Sequence, residues 1–128
     1  MKFLILGSNS FSGSHFVNEV LLRGNKVIGI SRSKQPRDFF LPYKWEQEAI
    51  HHKKKDYFEF FQLDLNKDID KIVEIINDKK PEYVVNFAAQ GMVAESWQNP
   101  SHWYKTNLLS QVLFHDEIRK CKFIKKYV

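Results

Sequence analysis

Phe3-Leu4-Ile5-Leu6-Gly7-Ser8-Asn9-Ser10-Phe11-Ser12-Gly13 is the stretch that decides the fold. It is a short apolar run that breaks at a glycine-punctuated turn and passes at once into a helical pattern. Gly7 stands where a tight turn asks for a residue without a Cβ, and Gly13 where a helix must pack close to the preceding strand. A helix that starts there offers unpaired N–H groups and the positive end of its dipole to an anion. The layout is that of a dinucleotide pyrophosphate site, with Ser10 in the place where a middle glycine would let the phosphates approach the backbone.

Strand and helix signals alternate outward from this turn. Lys2 to Leu6 reads as a buried strand. Phe16, Val17, Val20 and Leu21 then recur at helical spacing, and Gly24 sits where a C-cap glycine belongs. Asn25 to Ile30 gives a second strand, followed by an irregular excursion from Ser31 to Asp56 with one helical turn around Trp45 to Ile50. Tyr57 to Leu63 is a third strand. Asn66 is positioned to cap a helix carrying Ile69, Ile72, Val73 and Ile76, and Pro81 stops it. Tyr83 to Phe87 is a fourth strand and Ala88 to Asn99 a loop or short helix. Asn99-Pro100 reads as an N-cap with proline at the first helical position, opening a helix with Trp103, Leu109, Val112 and Leu113 on one face. Phe123 to Val128 begins a fifth strand. Such alternation implies an α/β fold with a parallel sheet, right-handed crossovers, and a ligand at the carboxyl ends of the strands.

Composition narrows the function classes. The chain has 128 residues, 43% of them hydrophobic and 15% aromatic, enough for one domain with one core. No apolar run approaches the ~20 residues of a membrane span, and the few apolar residues between Lys2 and Gly7 are too short for a signal peptide. A lone cysteine, Cys121, has no disulfide partner, and the default expectation is a reduced, cytoplasmic setting. Lys120 and Lys122 beside it could lower its pKa, but no histidine is close in sequence and the residue reads as packing under the sheet. The formal charge of +5 lies mainly between Lys34 and Lys55 and in the last nine residues. Without a basic strand interleaved with aromatics or a recognition helix, it reads as a solvated face rather than a nucleic-acid surface. His51 and His52, followed by Lys53 to Lys55, lack the convergent spacing of a metal site, so no metal is expected.

The end of the second strand bears on the choice of nicotinamide cofactor. An acidic residue there would bond a ribose 2′-hydroxyl, whereas an arginine would meet a 2′-phosphate. The sequence is Ile30-Ser31-Arg32-Ser33, with no carboxylate. Arg32 can pair bidentately with phosphate and Ser31 and Ser33 can add hydroxyl donors, so NADP is favoured and NAD is the alternative.

Gln62-Leu63-Asp64-Leu65, Asn86-Phe87-Ala88-Ala89-Gln90, Val93-Ala94-Glu95-Ser96 and Asn99-Pro100 follow in order. With them the chain resembles the N-terminal part of the extended short-chain dehydrogenase/reductase family. In particular it is similar to the NAD(P)-dependent epimerases and dehydratases acting on nucleotide sugars. The resemblance implies a Rossmann-type, doubly wound parallel sheet, here truncated in the fifth strand, with residues 1–128 as a partial NAD(P)-binding domain. It assigns Gly7, Ser10, Phe11 and Gly13 to the pyrophosphate loop. Asp64 is implied as acceptor of the adenine amino group, with Leu65 beside the ring. Phe87, Ala88, Ala89 and Gln90 would lie along the cofactor, and Thr106 would touch it from the following helix. Asn107 would hold that helix in register, and Glu95 and Ser96 match a substrate-side segment. Gln90 and Arg32 bring the match nearer the 4,6-dehydratases than the 4-epimerases.

Family chemistry starts by oxidising the sugar C4 hydroxyl, using a tyrosine base and a lysine four residues later that lowers its pKa. None of the five tyrosines has a lysine at that spacing, and the expected hydroxyl residue would lie beyond the fifth strand. The expectation is therefore a cofactor-binding portion without catalytic residues of its own, inactive alone, whose parent takes a nucleotide-diphosphate sugar. A non-catalytic dinucleotide-binding or regulatory module of the same fold is the alternative. An uncovered sheet edge and apolar helix face point to a homo-oligomer.

Overall fold

The computed structural model describes residues 1–45 and 56–128. Five parallel strands form one sheet in the order β3-β2-β1-β4-β5: β1 (Lys2–Leu6), β2 (Lys26–Ser31), β3 (Phe58–Gln62), β4 (Tyr83–Asn86) and β5 (Lys126–Tyr127). Leu4, Ile5 and Leu6 are all buried, which marks β1 as a central strand covered on both faces and explains its unbroken apolar run.

Helices supply the two covers. On one face, Ile5 and Val27 pack against Val17, Val20 and Leu21 of α1 (Phe11–Leu22). Leu41 and Tyr43, from the region of two single-turn 3-10 helices (Asp38–Phe40 and Pro42–Lys44), complete that layer. Burial pushes the Tyr43 phenol up to about 12, against the smaller opposing effect of its hydrogen bond from Gln35. On the other face, Leu4, Leu6, Ile28, Ile30 and Val84 meet Ile72 and Ile76 of α2 (Ile69–Lys79) and Phe114 and Ile118 of α5 (Ser110–Ile118). The Rossmann-type sandwich is thus present with helices on both sides. Gly24 closes the turn after α1 with φ +73°, a left-handed conformation suited to glycine.

Several boundaries depart from the sequence reading. α2 starts at Ile69, with Asp68 rather than Asn66 at the N-cap position. The Asp64 carboxylate accepts the Asn66 N–H at 2.8 Å, and Asp68 Oδ2 accepts the Asp64 N–H at 3.0 Å. These bonds close a turn before the helix, and they free the Asn66 side chain to reach across to Thr106 and Ser110. Accepting that N–H, together with pairing to Lys71, holds the Asp68 carboxyl below its ordinary pKa. The helical turn expected around Trp45 to Ile50 lies, past Trp45, outside the described residues, as do His51, His52 and Lys53 to Lys55.

The largest departure follows Asn99. In place of one regular helix there is α3 (Val93–Gln98), then α4 (Pro100–Tyr104), a π-turn (Lys105–Leu109) and α5. Asn99 stands at the N-cap of α4 without a capping side-chain bond. Leu109, Val112 and Leu113 are each about half accessible, while Ser110, Phe114 and Ile118 point into the core. A π-turn inserts one extra residue, and one residue rotates a helix by about 100°. The turn therefore shifts the phase between Trp103, which precedes it, and the residues that follow.

Phe114 is fully buried between α2, α5 and the sheet. Phe114→Ala should cost about 3–5 kcal/mol of stability through lost transfer energy and a residual cavity. A urea unfolding curve should show the midpoint falling accordingly.

Candidate dinucleotide-binding site

The chain runs from β1 to β2 and β3 on one side and returns to β4 on the other. β1 and β4 are adjacent, so the strand order reverses between them. A crevice opens there at the carboxyl ends of the strands, as open α/β sheets lead one to expect. It has a volume of about 350 Å³.

Gly7 builds one side. Its φ is +75°, its N–H donates to the carbonyl of Ile30 at 2.8 Å, and a Cβ added there would lie 2.7 Å from the carbonyl carbon of Phe87. Position and conformation both exclude a side chain. Gly13 is as constrained, since its Cβ would fall 2.2 Å from the Gly7 carbonyl oxygen. The turn, the first turn of α1 and the exit of β4 thus touch through backbone alone. Ser10 caps α1, its Oγ accepting the Gly13 N–H at 3.0 Å, and its carbonyl accepts the Ser14 N–H at 2.8 Å. Among the described residues, the N–H groups of Phe11 and Ser12 have no acceptor, which leaves the helix end open to an anion.

A second side is formed where β2 ends. Ser31 Oγ accepts the Asn9 N–H at 3.0 Å and lies 3.3 Å from Ser8 Oγ, so this buried hydroxyl is engaged in tying the glycine turn to β2. Asn9 Nδ2 donates to the carbonyls of Ser33 and Lys34 at 2.9 and 3.1 Å, folding the segment after β2 over the turn. Its Oδ1 is buried and has no partner among the described residues. Arg32 is exposed at the rim, with no carboxylate paired to it among the described residues. Sequence reasoning missed Asn9, and its only signal there was an amide side chain within the turn.

Asp64, Leu65, Phe87, Ala88, Ala89, Gln90, Thr106 and Glu95 also line the crevice, so the structure brings together most of the residues singled out from the sequence. Four stand apart from the lining: Phe11, Gly13, Ser96 and Asn107. Phe11 is 82% exposed at the start of α1. Ser96 Oγ donates to the Val93 carbonyl within α3. Asn107 clamps the main chain of Gln90, accepting from its N–H and donating to its carbonyl, both at 2.8 Å.

The fold is that of an α/β protein of the doubly wound type, with a crevice at the switch point of its sheet. A family model described as GDP-mannose 4,6 dehydratase matches residues 4–128, and the chain belongs to that family, within the extended short-chain dehydrogenases/reductases. Protein CapI of Staphylococcus aureus is 29% identical over 109 residues, covering 85% of this chain and 31% of the relative. A UDP-glucose 4-epimerase of Lactobacillus helveticus is 30% identical over 112 residues, or 88% of this chain and 30% of the relative. The fold superposes on the Thermotoga maritima UDP-glucose 4-epimerase with UDP-glucose with a TM-score of 0.78 at 24% identity, covering 99% of this chain and 36% of that one. It also superposes on the Thermus thermophilus UDP-glucose 4-epimerase complex with NAD, with a TM-score of 0.72 at 25% identity, over 94% and 34%. The chain spans about a third of the length of these proteins. No helix among the described residues is long and apolar enough to cross a membrane.

Cys121, outside the crevice, is partly buried and packs against the core that lies under the sheet, as its sequence context suggests. Burial, then the Glu117 carboxylate, push its thiol up, and these outweigh the opposing effect of Lys120. Its alkylation by a thiol reagent should be slower at neutral pH than that of free cysteine. The rate should keep rising with pH beyond the point where free cysteine levels off, which a stopped-flow titration would show.

Proposed function

We propose that residues 1–128 form part of the Rossmann domain of an NAD(P)-dependent nucleotide-sugar 4,6-dehydratase or epimerase, and that the crevice holds its dinucleotide. One observation carries this reading: the backbone-only junction of Gly7, Gly13 and Phe87–Ala88 beside the open N-terminus of α1. A group that must approach main-chain N–H donors closely fits a wall without side chains. The buried, unpartnered Asn9 Oδ1 adds an acceptor awaiting a donor. Gly7, Ser10 and the first turn of α1 would hold the pyrophosphate, Asp64 and Leu65 the adenine end, and Ala88, Ala89, Gln90 and Thr106 the ribose and nicotinamide end. A bound nicotinamide supplies a transient hydride acceptor.

NADP is the proposed cofactor in preference to NAD. Support comes from Arg32, an exposed cation at the rim where β2 ends, with Ser33 next to it and no acidic residue in the segment. Glu95, which lines the crevice, would face the substrate, a nucleotide-diphosphate sugar. The family-model match and Gln90 support the 4,6-dehydratase reaction, and the epimerase relatives keep the 4-epimerase reaction beside it.

We further propose a homo-oligomer. Leu109, Val112 and Leu113 share one face of the helical segment, and with Tyr104 and Leu108 they form an exposed apolar surface that a second copy would cover.

Calorimetric titration of NADP and NAD tests the cofactor reading. Arg32→Ala should weaken NADP by about ten-fold or more, since a charged hydrogen-bonding pair is lost, and leave NAD nearly unchanged. Absence of binding by either dinucleotide to the unaltered chain would overturn the function proposed. Val112→Glu should lower the sedimentation-derived mass of the oligomer while its dinucleotide affinity persists.

A further inference from the structure

Gln111, in α5, belongs to none of the residues singled out above, yet its amide joins three separate segments. Nε2 donates to the carbonyl of Ala88, in the loop after β4, at 3.2 Å, and to the carbonyl of Thr106, in the π-turn, also at 3.2 Å. Oε1 accepts from Asn86 Nδ2 at the end of β4. Both carbonyls are acceptors only, so the amide has one possible orientation. Asn86 is oriented in the same way: its Oδ1 accepts the Ala88 N–H at 2.8 Å and its Nδ2 also donates to Tyr127 Oη at 2.8 Å.

The π-turn explains why a side chain is used here. Ser110 N–H bonds the carbonyl of Lys105, five residues back. In an α-helix it would meet the carbonyl of Thr106. That carbonyl accepts from Gln111 instead. Ala88 and Thr106 both line the crevice, on different elements, and Gln111 is the group bonded to the main chain of each.

We propose that Gln111 is a positioning residue for the crevice, setting the separation of Ala88 and Thr106 through its two amide hydrogens. It touches no ligand itself and acts through the two carbonyls. The proposal rests on reading the crevice as the dinucleotide site, and its test separates the two claims.

The test compares the unaltered chain with Gln111→Leu, Gln111→Glu and a control, Ile118→Val, which trims the core beside the same helix. Two quantities are measured: the affinity for NADP and NAD, and, without ligand, the hydrogen-exchange protection of the Ala88 and Gln90 amides by NMR. Gln111→Leu should weaken dinucleotide binding and lower Ala88 protection by about ten-fold each, because two partly buried carbonyls lose their donor. Ile118→Val should lower the melting temperature and move neither quantity. In Gln111→Glu the carboxylate would face two carbonyl oxygens at about pH 8 and repel them, whereas below that carboxyl's own pKa, located by NMR titration of the same variant, its protonated form can donate an O–H. Affinity and protection, each relative to the unaltered chain at the same pH, should therefore recover as pH falls. A role in packing alone would not produce that recovery.

Unchanged affinity and protection in Gln111→Leu, or no recovery in Gln111→Glu, would overturn the proposal. If the unaltered chain binds neither dinucleotide, the functional reading fails, and the protection data alone decide the positioning claim. Should Gln111→Leu fail to fold, the pH dependence of Gln111→Glu decides it.

Discussion

Main chain meeting main chain at Gly7 is the constraint on which the rest of the molecule depends. The strand β1 must end, reverse and enter α1 within a few residues, while the backbone leaving β4 passes so near that any Cβ on Gly7 would collide with it. Gly13, in the first turn of α1, repeats the condition against the carbonyl of Gly7 itself. Closeness of this kind brings α1 down onto the sheet, where Val17, Val20 and Leu21 bury against Ile5 and Val27. Apolar burial then holds in place a turn whose own geometry offers little attraction.

Much of this was legible from residue types because each carries one dominant physical signal. The run Phe3 to Leu6 is apolar at every position, so it had to be covered on both faces, and in the structure it is central. Glycines at positions 7 and 24 mark positive φ, a conformation that other residues rarely adopt. Lys26–Ser31 and Tyr83–Asn86 fall within a residue of the strands expected, since β-branched and aromatic side chains in short runs bounded by turns admit few other readings.

What stayed hidden depends on long-range bonds. Asn66 resembled a helix cap because caps and tertiary anchors draw on the same side chains, and only the fold reveals that its amide meets Thr106 and Ser110, some forty residues away in sequence. The π-turn at Lys105–Leu109 has no residue signature at all, yet it rotates everything after it. Leu109, Val112 and Leu113 do share one face, as their spacing indicates, but the spacing alone does not say which side of the helix turns to the core. A surface-facing apolar stripe and a buried one look the same in a linear pattern. The choice between them is made by Phe114 and Ile118, which compete for the same core and occupy it.

The crevice divides its polar groups in a way that bears on selectivity. In and around it, Ser31, Asn66, Asn86, Asn107 and Gln111 spend hydrogen-bonding capacity on the protein, on main-chain groups or on other side chains. Such neutral networks, when satisfied, make a site rigid and contribute little discrimination between ligands. On the proposed reading of the crevice, recognition would fall to unspent groups: N–H donors at the start of α1, Asn9 Oδ1, and the charged side chains of Arg32 and Glu95 at the edges. The amides would suit any pyrophosphate, so in that role they would not distinguish one dinucleotide from another. Distinction between closely related ligands must then fall on the few rim residues, where a single charge added to or missing from the ligand is met or left unpaired.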